Sequence, residues 1–109
     1  MDINLFREEI LPRIDKGILS LLIMLDRADD DGNISLGMRL ARKIDEAREA
    51  RDVYGQEMLE AETADDIQAV ADKVYKLSEG RFSEGHLLVM GYLTEMAGQV
   101  RQAEEEITV

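Results

Sequence analysis

The sequence predicts an all-α fold, a small four-helix bundle of three longer helices and one short one. Three observations carry this expectation. Apolar residues recur three and four positions apart through four separate segments, which puts each set on one helix face. No segment alternates apolar and polar residues as a half-buried strand would. Polar or glycine-containing breaks separate the segments and supply residues suited to capping.

The first helix is expected from about Asn4 to Ala28, with Ile10, Ile14, Ile18, Leu21, Leu22 and Leu25 at helical spacing. Pro12 lacks a backbone donor and clashes with the preceding turn. Either the helix kinks there, or residues 4–10 form a separate turn and the main helix begins at Pro12. Between Ile18 and Leu25 the apolar surface wraps most of the helix. Such a helix is covered on several sides. In a chain of 109 residues the core is limited. Ile18, Leu21, Leu22 and Leu25 are therefore assigned to self-association, and a homodimer is expected.

Asp29 to Asn33 form a polar break. Asn33 or Ser35 can cap a second helix carrying Leu36, Leu40, Ile44, Ala47, Tyr54 and Met58 and extending to Glu60. Gly55 weakens that helix by about 1 kcal/mol relative to alanine. Thr63 and Asp66 match a capping box with Asp in place of Glu. They open a short helix with Ile67, Val70, Val74 and Leu77 on one face, ended by Glu79-Gly80. Phe82, Ser83 and Leu87 have the arrangement of a hydrophobic staple around an N-cap. The last helix carries Val89, Leu93, Met96, Val100, Ala103 and Ile107, and residues 104–109 are expected to fray. One domain, 1–109, accommodates all four elements.

The charge is unevenly placed. The chain carries −11 in total, and residues 39–51 hold five basic groups against three acidic ones. Asp52, Glu57, Glu60, Glu62, Asp65, Asp66 and Asp72 follow with no basic residue among them. Basic charge near a helix start and acidic charge near its end both oppose the helix dipole. Local stability therefore does not account for the order. These seven carboxylates are the candidate partner-binding surface, directed at a protein with a basic face. A chain this acidic repels nucleic acid and anionic membrane. Direct nucleic-acid binding and membrane binding are not expected.

There is no cysteine, hence no disulfide, thiol nucleophile or thiolate metal site. No secretory leader is recognisable at the N-terminus. The most apolar run, Ile18–Leu25, is far shorter than the roughly 20 residues of a membrane span. A cytoplasmic location is expected, or the host cytoplasm if the protein is viral. The serines have no plausible base beside them, so no catalytic residue is assigned. His86, the one histidine, lies in the first turn of its helix and is read as a surface or interface residue. The methionines and tyrosines read mainly as core filling and core edge.

Two motifs invite metal readings. Asp29, Asp31, Gly32 and Ser35 resemble the middle of an EF-hand calcium loop, but Arg27 and Met38 stand where its first and last ligands belong. Glu46-Ala-Arg-Glu49 and Glu62-Thr-Ala-Asp65 resemble in spacing the magnesium-binding helices of MazG-type nucleotide pyrophosphohydrolases. That resemblance implies two facing carboxylate pairs holding magnesium near a phosphate. Glu62 precedes the cap Thr63, so its pair straddles a helix boundary. No metal or cofactor is assigned.

The leading expectation is a non-enzymatic acidic module that regulates or inhibits a partner with a basic, nucleic-acid-binding type of surface, as phages and mobile elements encode. The first alternative is an assembly or chaperone adaptor acting through apolar helix faces. The MazG-like hydrolase ranks third.

Overall fold

The computed structural model describes residues 1–81 and 83–108. They form four helices: α1 (Ile3–Asp30), α2 (Ile34–Glu60), α3 (Ala64–Leu77) and α4 (Glu84–Thr108). The chain runs up, down, up and down, and no strand occurs among the described residues. Among the described residues, no helix is long and apolar enough to cross a membrane.

Asp2 caps α1 by accepting a hydrogen bond from the Leu5 amide at 2.8 Å. Of the two readings for Pro12, a separate first turn does not occur: α1 is one helix with Pro12 inside it. Glu8 and Pro12 both lie on the exposed side, so the carbonyl that proline leaves unpaired is on the solvent face. The core face runs through Phe6, Ile10, Ile14, Ile18 and Leu21, all buried.

A three-residue connection with Gly32 at φ 70° reverses the chain. Asn33, not Ser35, caps α2 through the Leu36 amide. Gly37 and Gly55 are buried on the side of α2 that faces α1. A Cβ on Gly37 would lie 3.2 Å from Asp29 Oδ1 and 3.7 Å from Leu25, and one on Gly55 would make ordinary contact with Leu11 at 3.7 Å. Arg51 bonds Asp15 across the same pair at 2.5 and 3.1 Å. Arg7 donates to the Ala61 carbonyl at 2.7 Å and closes the far end.

The capping box forms as the sequence predicts: Asp66 accepts from the Thr63 amide, and Thr63 accepts from the Asp66 amide. The Glu104 carboxylate also takes the Ala64 amide at 2.8 Å. An orphan donor at the start of α3 is thus satisfied from α4. Residues from Glu104 to Thr108 continue α4 as helix. The staple expected at Phe82 lies outside the described residues. Glu79 and Gly80, at φ 51° and 77°, turn the chain after α3.

The core gathers the inner faces of all four helices, with Ile67, Val74, Val89, Leu93, Met96 and Val100 buried beside the α1 and α2 residues. Met58 and Met96 are buried, whereas Met24 is exposed. Tyr54 and Tyr92 pack at the core edge, and Tyr75 is exposed. At Gly85 the backbone of α4 lies directly against that of α2. A Cβ there would overlap the Lys43 carbonyl and lie 2.5 Å from the Glu46 Cβ. Among the described residues, Glu84, Gly85 and His86 of α4 bond Arg39, Glu46 and Glu49 of α2. The end of α1 and the start of α2 carry Ile23, Met24, Ile34 and Met38 as exposed apolar residues.

Candidate functional site

The seven carboxylates from Asp52 to Asp72 do not form one patch. Glu57, Glu60 and Asp66 line a shallow groove of about 280 Å³ between α2 and α3, together with Lys73. Glu62 faces a different recess, beside Ile3, Ala103 and Glu104. Asp65 and Asp72 are seven residues apart on the outer side of α3. Asp52 lies on α2 toward α1, where Arg51 reaches it at 3.9 Å while bonding Asp15 more closely.

The fold also supplies cations that the local sequence lacks. Lys73 bonds Glu57 at 2.7 Å, and Arg101 reaches across from α4 to Asp65 at 2.9 Å. The hydrogen bond to Glu57 is the main cause that raises the Lys73 ammonium above its ordinary pKa of 10.5. Asp66 is occupied by the capping box. Among the described residues, Glu60 and Asp72 accept only from the neutral amides of Gln56 and Gln68. All seven but Glu57 are exposed, and even the paired Asp65 side chain is 91% exposed. Exposed ion pairs contribute only about 0–1 kcal/mol, so a partner's lysines and arginines can displace the internal ones.

The residues assigned to self-association divide. Ile18 and Leu21 are buried in the chain's own core, and Leu22 and Leu25 are half-buried against it. This corrects the expectation that Ile18 and Leu21 present a contact surface. Ile18 and Leu21 continue the stripe of Ile10 and Ile14 that faces their own bundle, and the exposed apolar residues of this stretch are Leu19, Ile23 and Met24.

His86 is not a surface residue. It is 4% exposed, between α2 and α4, with Nε2 2.8 Å from Glu49 Oε1. Its Nδ1 is buried without a partner among the described residues. The ionised Glu49 carboxylate can only accept, so Nε2 is the donor of this hydrogen bond. Glu46, one turn before Glu49, accepts from the Gly85 amide at 3.2 Å. Arg39 and Glu84 pair beside them, and the Arg39 hydrogen bond holds the Glu84 carboxyl below its ordinary 4.5. A cleft of about 570 Å³ opens next to His86, walled by Arg42, Asp45, Glu49, Arg81 and Ser83. Sequence reasoning misses this cluster because its partners are 37 to 45 residues apart. Gly85, small where α2 crosses, is the only local hint.

The two carboxylate pairs of MazG-like spacing are not brought face to face. Glu46 and Glu49 serve the first turn of α4, whereas Glu62 lies near its other end beside Ala103 and Glu104. The EF-hand-like segment is helix through Asp30. Only three residues connect α1 to α2, in place of the 12-residue loop that calcium sites of this type use. No group of three or more potential metal ligands is found among the described residues. Comparison with known proteins adds no relative: no protein family, no curated protein and no solved structure matches the chain.

Proposed function

We propose that this protein is a non-enzymatic helical module that binds a protein partner with a basic surface and restrains it, acting as a homodimer in the cytoplasm of its cell or host. The observation that carries the reading is the exposure of the carboxylates of α2 and α3 in a chain of net charge −11. Glu60, Glu62 and Asp72 form no ion pair among the described residues. Glu57, Asp65 and Asp52 hold theirs only through exposed pairs. A surface of this sign occupies a groove built for phosphates and speeds encounter with a basic protein. A partner that normally holds nucleic acid fits this chemistry best.

The test is affinity capture from the native host with two baits, the wild-type protein and a Glu60→Lys/Glu62→Lys/Asp72→Lys variant. A basic protein retained by the first bait and lost from the second supports the reading. Equal retention on both baits overturns it. The exposed Ile23, Met24, Ile34 and Met38 support the adaptor reading instead. Apolar capture would persist at high salt, whereas charge-led capture would not.

A further inference from the structure

The outer side of α1 carries a second periodic stripe, opposite its core face. Lys16, Leu19, Ile23, Asp26 and Asp30 follow one another at intervals of three and four residues, and all five are exposed. That is the spacing of a helix-pairing seam. Its centre is apolar, with Leu19 56% and Ile23 49% exposed. The ends are charged with opposite sign. Neither the Lys16 nor the Asp26 side chain has an ion pair or hydrogen bond among the described residues.

We propose that a second copy of this chain covers the seam, packing α1 against α1 antiparallel about a two-fold axis level with Leu21. The proposal rests on the homodimer reading above and assigns its surface and register. In this register Leu19 of one copy faces Ile23 of the other. Lys16 then faces Asp26, and the two-fold repeats both contacts. The charges select the orientation. Parallel helices in register would set Lys16 against Lys16 and Asp26 against Asp26, with repulsion at both ends. A uniformly basic partner would match Asp26 and Asp30 but meet Lys16 with like charge. A second copy satisfies both ends at once. Ile18 and Leu21 remain in the core of their own copy, so the bundle does not rearrange.

Sedimentation equilibrium of the full chain, up to about 100 µM, tests this with Lys16→Asp, Asp26→Lys, the double variant and an equimolar mixture of the two single variants. Both positions are exposed, so far-UV circular dichroism of every variant should match the wild type. Each single variant has two like-charge contacts per dimer and should associate roughly tenfold more weakly or worse. The double variant, and the mixture of the two singles, regain opposite charges at every contact and should recover the wild-type dimer. A monomeric wild type overturns the seam and the homodimer reading together. A dimer indifferent to both single substitutions keeps the homodimer but overturns the seam. Single variants that dissociate and do not recombine on mixing overturn the antiparallel register.

Discussion

His86 Nε2 and Glu49 Oε1 lie 2.8 Å apart, and this contact joins the first turn of α4 to the middle of α2. The ring is covered while its carboxylate partner is half exposed. His86→Ala removes packed volume as well as the hydrogen bond and should cost about 2–3 kcal/mol. Glu49→Ala should cost only about 1 kcal/mol, because water can approach from the open side of the pair. Urea denaturation of the two variants checks the ranking. Equal costs would mean that the ring contributes through the hydrogen bond alone.

At Gly85 the backbones of α2 and α4 are in close contact. The atoms that a Cβ would meet there include the Lys43 carbonyl and, at 2.7 Å, the Ala47 amide nitrogen. Backbone cannot swing aside as a side chain can. Gly85→Ala should therefore destabilise by about 2–3 kcal/mol. Gly91 and Gly98 lie in the same helix, and a Cβ added at either would meet nothing within 4 Å. Alanine at either should stabilise by about 0.5–1 kcal/mol, by removing glycine's extra freedom in the unfolded chain. In thermal melts the Gly85 variant should move down and the other two up. A Gly85→Ala protein as stable as the wild type would contradict the crossing.

The Arg39–Glu84 pair gives a pH dependence with a definite sign. The Glu84 carboxyl is held below its ordinary 4.5, first by the Arg39 hydrogen bond, against partial burial, with the charges of Arg39 and Lys43 adding to it. The folded protein therefore releases this proton more readily than the unfolded chain. The pair's contribution is complete above the ordinary carboxylate range and is lost as pH falls through the depressed value. Glu84→Gln should be less stable than the wild type at about pH 7, and the difference should close toward about pH 3. Urea midpoints across that range measure it. A difference that stays constant with pH would assign the effect to packing.

Much of the fold is legible in the sequence because it is encoded locally. Thr63 and Asp66 sit three residues apart and form the capping box that spacing alone predicts. Ile10, Ile14 and Ile18 declare the inner face of α1 by period, and all three are buried. Pairing at long range is not legible in this way. The stretch from Asp52 to Asp72 reads as unneutralised until Lys73 and Arg101 are brought to Glu57 and Asp65. Arg101 is 36 residues from Asp65, so no local window contains both. His86 reads as a surface or interface residue for the same reason, since it packs where Gly85 meets the distant Glu46 and Glu49. The apolar run from Ile18 to Leu25 signals apolar surface on more than one side of α1. Which side stays uncovered depends on where α2 and α4 pack, and that leaves Leu19 and Ile23 outward.

The decisive measurement is the salt dependence of partner binding, compared between the wild type and the Glu60→Lys/Glu62→Lys/Asp72→Lys variant. Titration calorimetry with the captured basic partner at about 50 and about 200 mM salt supplies it. Wild-type affinity should fall roughly tenfold or more across that range, because exposed charge pairs are screened as the Debye length shrinks. The reversed variant should bind at least about tenfold more weakly at low salt and respond little to added salt. Equal affinity of the two proteins, with the same shallow salt response, would contradict a charge-led interface on α2 and α3.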